Sequence, residues 1–189
     1  MCKTASATFY TTTIPSPIGE LTLASDGENL TGLWLAGQKY FGAGLPPQVA
    51  HVPTNEAVAN SAPSAPNTPI QTNNDLPLFH TVRDWLTRYF NGENPDARAL
   101  PLAPAGSPFR QTVWQALLDI PYGTTTTYGA LAQQVGCVSA RAVGGAVGHN
   151  PISILIPCHR VVGAGGKLTG YAGGVAAKVF LLRVERIIV

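Results

Sequence analysis

The pattern of hydrophobic and polar positions predicts a small sheet at the start of the chain. Residues 8–14 are rich in threonine and aromatic side chains, and residues 20–24 alternate between polar and apolar types. Turn-forming residues at 15–19 separate these segments, and the Asp26–Gly27 pair predicts a tight turn before an apolar segment at 30–35. Because β-branched and aromatic residues favour strands while Gly and Pro favour turns, we predict three strands here.

The next region combines a Pro-rich stretch with a helix. Residues 42–77 are dominated by Pro, Ala, Asn, Ser and Thr, which predicts a long flexible insertion at about 43–77. Helical spacing returns over residues 78–90, which Asn91–Gly92 ends. The apolar face of this helix comprises Phe79, Val82, Leu86, Tyr89 and Phe90.

Helical spacing dominates the second half. It predicts helices over residues 109–118, 128–135, 140–147 and 176–187, with Ser139 as an N-cap. The second and third of these are short and joined by a turn of about four residues, which indicates a candidate helix-turn-helix. The apolar run 152–156 predicts a buried strand, and a Gly-rich loop follows at 161–174.

Together these elements predict an α/β (α+β) protein with two domains. Residues 1–100 would form a small sheet-plus-helix domain that carries the insertion. Residues 101–189 would form a mostly helical domain with the helix-turn-helix and a short strand leading into the candidate site.

Composition narrows the class of protein. The chain has 45% hydrophobic and 12% charged residues, which favours a folded core over disorder. No apolar run approaches the roughly 18 residues of a spanning helix, and the N-terminus lacks the features of a secretion signal. Three cysteines without framework spacing indicate free thiols in a reducing compartment. We therefore expect a cytoplasmic protein, or a nuclear one in a eukaryote, with no membrane partner.

Charge is distributed unevenly along the chain. From Ser107 onward there are seven basic residues against two acidic ones, whereas the preceding part has five against eight. A basic half beside an acidic half indicates that the C-terminal half meets a polyanion such as nucleic acid.

The predicted helix at 140–147 is unusual because it contains two adjacent glycines, each of which costs about 1 kcal/mol relative to alanine. Ala140, Ala142 and Gly144 give it a smooth face. This face favours either close helix packing or a recognition helix pressed into a DNA groove. Arg141 is the one long cationic side chain there, as expected of a residue that inserts into a duplex.

The segment Pro157–Cys158–His159–Arg160 follows the predicted buried strand. A cysteine at such a position is often an inert core residue. A histidine next to it also fits a nucleophile–base pair, although on extended backbone the two side chains point to opposite faces and a water would have to relay the proton. Glu185, one of two acids in this half, would then orient His159 and favour the reactive thiolate.

These residues carry a resemblance to a known family. Residues 141–174 read RAVGGAVGHNPISILIPCHRVVGAGGKLTGYAGG, and residues 107–132 read SPFRQTVWQALLDIPYGTTTTYGALA. Together with Lys178, Leu181, Leu182 and Glu185, they resemble the O6-alkylguanine-DNA alkyltransferases over essentially all of residues 107–185. The first half resembles the family loosely, through Ser16–Pro17–Ile18–Gly19 and the segment after it.

The resemblance implies direct DNA repair. Cys158 would accept a methyl or larger alkyl group from O6-alkylguanine, with O4-alkylthymine as a second candidate substrate. His159 would act through a water, Glu185 would hold His159, and Tyr128 would hydrogen-bond guanine N3 to compensate charge on the departing base. The transfer would be stoichiometric and irreversible, without metal or cofactor.

The resemblance also implies how DNA and the base are bound. The partner would be double-stranded DNA, contacted in its minor groove by a monomer whose Arg141 replaces the flipped nucleotide. The remaining DNA contacts would come from Thr127, Ala140, Ala142 and Gly144. The pocket around the base would be formed by Asn150, Val161, Tyr171, Ala172 and Lys178, with the backbone of Cys158, Val161 and Ala172 contacting the guanine edge. Asn150 would hold the turn between the recognition helix and the active-site strand, and Lys178 would support the active-site loop.

Two departures from the family pattern are visible. Ala172 stands where some members carry Ser, so a hydroxyl contact to O6 is lost. Residues 163–166 are Gly-Ala-Gly-Gly, a small loop that could admit larger alkyl groups. Cys2, His51 and His80 lack metal-ligand spacing, so we expect no structural zinc.

Three alternative functions remain open. Alkyltransferase-like lesion sensors share the DNA-binding half but lack the acceptor cysteine, and Cys158 argues against that class. A helix-turn-helix regulator would carry several base-reading side chains, whereas the 140–147 helix offers Arg141 alone. A cysteine hydrolase would turn over repeatedly, which a single-turnover assay distinguishes.

Overall fold

The computed structural model describes residues 8–45 and 70–188. Its strands are β1 (Phe9–Ile14), β2 (Leu21–Ser25), β3 (Leu30–Leu35), β4 (Ile70–Thr72), β5 (Thr126–Thr127) and β6 (Val161–Val162). Its α-helices are α1 (Pro77–Phe90), α2 (Pro108–Leu118), α3 (Tyr128–Gln134), α4 (Ala140–Gly148) and α5 (Val175–Val184). Three short 3₁₀ segments lie at Ala97–Ala99, Cys158–Arg160 and Ala164–Gly166. The predicted fold class, a sheet-containing first half and a mostly helical second half, is confirmed.

The first half is built on a four-stranded sheet in the order β3-β2-β1-β4. Strand β2 pairs antiparallel with both β1 and β3. The bounds of these three strands lie within about one residue of the predicted ones. The turn between β2 and β3 is held by Asp26, whose carboxylate accepts hydrogen bonds from the backbone N–H groups of Glu28 and Asn29. Local sequence signals therefore determine this part of the sheet.

The prediction of one flexible insertion over residues 43–77 is wrong at its C-terminal end. Ile70–Thr72 forms β4, which pairs in parallel with β1, and Asn73 donates its N–H to the carbonyl of Thr11 at 3.2 Å. Three residues are too few to show strand periodicity, so only the partner strand defines β4. The rest of the predicted insertion, residues 46–69, lies outside the described residues.

Helix α1 contributes its predicted apolar face to the core. Phe79, Val82, Leu86 and Tyr89 are buried, and Phe90 is half-buried. Pro77 occupies the first turn, where its missing N–H has no helical partner to lose. The buried side chains of both halves form one continuous hydrophobic core.

The outer edge of β3 is covered by segments from later in the chain. Leu30 donates its N–H to the carbonyl of Pro101 at 2.8 Å, and Leu33 donates to Pro151 at 2.8 Å. Ser153 in turn donates to the carbonyl of Leu33 at 2.8 Å. These bonds satisfy an otherwise open strand edge and fix the segment that precedes Cys158.

The prediction of a strand over residues 152–156 is wrong, although the segment is buried as expected. Only Ile152 forms a bridge to the sheet, and the chain then turns so that Ile156 donates to the carbonyl of Ile152 at 3.1 Å. Ile154 has a φ of 71°, which is costly for a β-branched residue and is maintained by the surrounding contacts. Buried apolar runs do not distinguish a strand from a packed turn. The short strand next to the candidate site is β6.

Helices α3 and α4 form the predicted helix-turn-helix. The hydroxyls of Thr127 and Ser139 cap them by accepting the N–H groups of Ala130 and Ala142, both at 3.1 Å. Gly136, with a φ of 66°, ends α3. Among the described residues, no helix combines the length and apolarity needed to cross a membrane.

Candidate active site

Strands β5 and β6 bring the candidate residues together. They pair in parallel, with Thr126 opposite Val161 and Thr127 opposite Val162. Tyr128 follows β5 directly, and the Cys158–Arg160 segment directly precedes β6. This two-residue pairing therefore places the first turn of α3 beside Cys158.

Six of the predicted site residues meet at a narrow cavity of about 60 Å³. It is lined by Tyr128, Gly144, Val147, Gly148, Asn150, Cys158, Gly170, Tyr171 and Ala172. This volume is small beside the roughly 300 Å³ or more that ligand clefts usually enclose. One wall belongs to the Gly-rich loop, and the other is the C-terminal part of α4.

Cys158 is buried and its sulfur has a polar neighbour. Asn150 donates a side-chain N–H to Cys158 Sγ at 3.1 Å. Burial raises the pKa of the thiol, while the Asn150 hydrogen bond and the charge of Lys178 act in the opposite direction. The site thus holds the sulfur as a thiol while providing groups that stabilise the thiolate.

Asn150 also fixes the turn before Cys158, as the family resemblance implies. Its side-chain N–H groups donate to the carbonyls of Ile156 at 2.8 Å and Ile152 at 3.3 Å, and its Oδ1 accepts the N–H of Ile152 at 3.0 Å. The contact of this amide with Cys158 Sγ could not be predicted from the sequence, because residue spacing gives no sign that the amide reaches the sulfur.

His159 is fully buried, and its Nε2 lies 2.7 Å from Glu185 Oε1. Burial lowers the pKa of His159, and the hydrogen bond and charge of Glu185 oppose that shift without overcoming it. Its Nδ1 is buried and has no hydrogen-bond partner among the residues that the structure describes. The ring is therefore neutral, with one nitrogen held by Glu185 and the other able to accept a proton.

Glu185 is a buried carboxylate with several donors. Arg160 binds both of its oxygens, at 2.8 Å from Nε and 3.0 Å from a terminal nitrogen, and Gly123 N–H donates at 3.2 Å. Burial raises the pKa of Glu185, but the hydrogen bonds and charges of His159 and Arg160 outweigh that effect and hold it at about 2. Glu185 therefore stays ionised and keeps its hold on His159.

The predicted pocket residues divide into two groups. Tyr171 and Ala172 line the cavity with Asn150, whereas Val161 and Lys178 do not. Lys178 is buried and donates to the carbonyls of Val161 at 2.6 Å and Thr169 at 3.4 Å, so it ties β6 to the loop. Both backbone groups of Val161 are engaged, because its N–H donates to the carbonyl of Cys158. A carbonyl oxygen has a second lone pair, so the expected contact between the Val161 backbone and a guanine edge stays a prediction.

The predicted DNA-contacting residues also divide. Ala140, Arg141 and Ala142 are exposed on α4, and Arg141 has no carboxylate within ion-pair distance among the described residues. Gly144 belongs to the cavity wall, where a β-carbon would lie 3.6 Å from the Tyr128 ring. The Thr127 hydroxyl caps α3. This contact gives Thr127 a structural role.

Three contributing residues were not singled out from the sequence. Arg160 lies within the motif at residues 157–160, but the sequence indicated no role for it. Tyr89 of α1 donates its hydroxyl to Glu185 Oε1 at 2.8 Å. Gln38 accepts hydrogen bonds from the Leu35 N–H and, at 2.9 Å, from the Ser153 hydroxyl. Tyr89 and Gln38 belong to the first half of the chain, where no local motif indicates a contact with the site.

Other features of the described residues lie apart from this chemistry. A larger cavity of about 450 Å³ lies between β1, its following turn and α1, and contains none of the site residues. Within residues 8–45 and 70–188, no three His, Cys, Asp or Glu side chains are grouped to hold a metal ion. Cys137 is a half-buried free thiol.

Comparison with known proteins identifies the family. Residues 9–104 match the 6-O-methylguanine DNA methyltransferase ribonuclease-like domain, and residues 108–187 match the DNA binding domain of the same family. A methylated-DNA–protein-cysteine methyltransferase of Haemophilus influenzae is 43% identical over 179 residues, covering 94% of this chain and 87% of that protein. One from Mycobacterium bovis is 45% identical over 175 residues, covering 92% and 90%.

The fold agrees with solved structures of the same class. The crystal structure of Mycobacterium tuberculosis OGT in complex with DNA superposes with a TM-score of 0.73 at 40% identity, covering 94% of this chain and 92% of that chain. A structure of the Mycobacterium tuberculosis O6-methylguanine methyltransferase gives a TM-score of 0.71 at 41% identity, covering 94% and 93%.

The fold and site define a DNA-repair enzyme of the alkyl-transfer class. The chain belongs to the 6-O-methylguanine DNA methyltransferase family.

Proposed function

We propose that this protein moves an alkyl group from O6 of guanine in double-stranded DNA onto Sγ of its own Cys158. One observation carries the assignment: Cys158 lines a cavity between α3, α4 and the Gly-rich loop, and the adjacent His159 is held by a buried carboxylate. A sulfur nucleophile, a proton acceptor and a helix-turn-helix thus occupy one site. All of these groups come from a single chain, which supports a monomer as the acting unit.

Access to the sulfur requires the target nucleotide to leave the duplex. Cys158 is buried, so an O6 atom stacked inside DNA cannot reach it, and flipping a nucleotide costs a few kcal/mol. Exposed Arg141, flanked by the small side chains of Ala140 and Ala142, is suited to enter the minor groove and fill the space that the base leaves. The basic character of the second half supports binding to the phosphate backbone.

The attacking species is the thiolate, so the Cys158 proton must be removed in the site. We assign His159 Nδ1 as the acceptor, acting through a water, because Nε2 is held by Glu185. The neutral state of the buried ring supports this role, since a protonated imidazole cannot take up a proton. The Asn150 N–H and the Lys178 charge stabilise the sulfur anion once it forms.

The transfer step balances without any further reactant. A bond forms between Sγ and the alkyl carbon while the bond between that carbon and O6 breaks in line. The electron pair passes to guanine, and Tyr128 in the cavity wall donates a proton at N3, because neutral guanine leaves more readily than its anion. The product is a thioether with no ready route to hydrolysis, so each molecule acts once.

Mass spectrometry of the protein after mixing with a duplex that contains one O6-methylguanine tests the proposal. The expected product is one methyl group per chain, located on the peptide that contains Cys158, together with restored guanine. An adduct on Cys2 or Cys137 would refute the assignment. Repeated turnover would indicate a hydrolase, and tight binding without any adduct would indicate a lesion sensor.

A further inference from the structure

Tyr89 links the first half of the chain to the proton-relay residues. It lies near the C-terminus of α1 and is only 1% exposed. Its hydroxyl donates to Glu185 Oε1 at 2.8 Å, and the hydroxyl oxygen lies 3.3 Å from His159 Nε2. Because His159 Nε2 also lies 2.7 Å from Glu185 Oε1, three polar atoms from three distant segments form one closed triangle.

Each atom of this triangle has a defined protonation role. Burial and the negative charge of Glu185 raise the pKa of Tyr89, so its hydroxyl keeps its proton and donates it to the carboxylate. The lone pairs of the Tyr89 oxygen and of Glu185 Oε1 then both face His159 Nε2. Two acceptors around Nε2 favour the tautomer in which this nitrogen carries the hydrogen.

The Tyr89 ring is fixed by its own neighbours. It stacks on Trp85 with ring centroids 5.3 Å apart, and it meets Phe90 and Tyr122 edge-on at 5.6 and 6.3 Å. Such aromatic packing gives the hydroxyl little freedom to follow a moving carboxylate. Glu185 is therefore positioned by a rigid group outside the second half of the chain.

We propose that Tyr89 is a positioning residue of the alkyl-transfer site: it holds Glu185 and the Nε2–H tautomer of His159, and so keeps Nδ1 as the proton-accepting nitrogen. This inference rests on the function proposed above. Tyr89 does not line the cavity that holds Cys158, and its hydrogen bonds reach the site through His159 and Glu185. The first half of the chain thereby contributes to the reaction and not only to stability.

The test compares Tyr89→Phe with Tyr122→Phe. Both substitutions keep the ring and remove one hydroxyl from the same aromatic cluster, but the Tyr122 hydroxyl donates to the carbonyls of Val184 and Gly92 and to no carboxylate. Losing a hydrogen bond to a charged group should slow single-turnover transfer by about ten-fold in Tyr89→Phe, with unchanged duplex affinity. Tyr122→Phe should transfer at close to the wild-type rate.

The pH dependence of the transfer rate would not change if Tyr89 only stabilised the fold. Without the tyrosine donor, Glu185 stabilises the protonated imidazole more strongly, so the acid limb of the rate profile should shift to higher pH in Tyr89→Phe alone. Nitrogen-15 NMR of wild-type protein should show His159 as the Nε2–H tautomer. This measurement needs no variant, so a His159 ring protonated at Nδ1 would overturn the proposal even if Tyr89→Phe folds poorly.

The possible results separate the two proposals. If wild-type protein forms no Cys158 adduct in the same assay, the proposed function fails. If the adduct forms, the positioning role is overturned by any of three findings. These are a wild-type rate and profile in Tyr89→Phe, an equal loss in Tyr122→Phe, or a His159 ring protonated at Nδ1.

Discussion

Two carboxylates, one in each half of the chain, have opposite roles. In the first half, Asp26 sits in a turn and accepts the N–H groups of Glu28 and Asn29, a task that the local sequence sets. In the second half, Glu185 is buried and accepts donors from segments 25 or more residues away, including Arg160 and His159. The first arrangement builds the fold, whereas the second holds a reactive group.

This contrast does not make the first half a passive support. The edge of β3 fixes the turn before Cys158 through Leu33, Gln38 binds Ser153, and Tyr89 reaches Glu185. The reacting groups therefore belong to one half, while their rigid placement depends on both. This division of roles is tested by substituting a reacting group, a group that positions it, and a segment that only connects two strands.

The largest effect is expected at the nucleophile. Cys158→Ser should abolish alkyl transfer, because a neutral hydroxyl is a far poorer nucleophile than a thiolate. The pocket shape is nearly preserved, so affinity for an O6-methylguanine duplex should stay close to that of the wild type. Mass spectrometry and a binding titration check the two statements, with Cys137→Ser as the control that keeps transfer. Residual methylation of the Cys158→Ser chain would contradict the assignment.

Glu185→Gln should reduce both stability and rate. The folded pKa of Glu185 is about 2, below its usual 4.5, so the ionised group stabilises the fold above pH 4.5 and this contribution is lost as pH falls toward 2. At about 1.4 kcal/mol per pKa unit, the wild type should lose about 3 kcal/mol over that window. Glu185→Gln should lack this contribution already at pH 7.

Denaturant unfolding at neutral and acidic pH measures this difference. Glu93→Gln is the matched control, because the Arg88–Glu93 pair is half-exposed and such pairs contribute about 1 kcal/mol or less. Equal losses in the two variants would show that Glu185 has no special role in the fold.

Arg141→Ala separates DNA handling from chemistry. Because we place this side chain in the duplex and away from the reacting atoms, repair of duplex substrate should slow by roughly ten-fold or more, since flipping costs a few kcal/mol. Dealkylation of free O6-benzylguanine should change little. Single-turnover rates on both substrates provide the check, and equal losses would assign Arg141 to the fold or the pocket.

The smallest effect is expected from the segment between β3 and β4. Replacing residues 46–69 by a Gly/Ser linker of equal length should change the free energy of unfolding by no more than about 0.5 kcal/mol, since its composition offers little apolar surface. Extending the replacement through Thr72 removes β4 and should cost clearly more. Melting temperatures and transfer rates of the two variants measure the contrast. A large loss from the shorter replacement would show that residues 46–69 contact the domain or DNA.

The amino-acid sequence by itself determined the features that depend on neighbours along the chain. Turn residues and strand composition located β1 to β3, while capping residues such as Ser139 and helical spacing located the helices. The resemblance of the segment around Cys158 to a known family indicated the chemistry and the roles of His159 and Glu185. The turn, capping and spacing signals are local, because a cap or a helical face involves residues only a few positions apart.

Tertiary structure alone decided the features that depend on distant partners. Strand β4 has three residues and exists only because β1 pairs with it. The buried run at 152–156 is a turn because β3 binds its first part, through Pro151 and Ser153, while Asn150 holds the carbonyl of Ile156. Tyr89 had the spacing of an ordinary core residue, yet its hydroxyl meets Glu185 across 96 residues of sequence. A hydrogen bond between segments so far apart leaves no periodic pattern, since it depends on how the packed elements place two atoms within 3 Å.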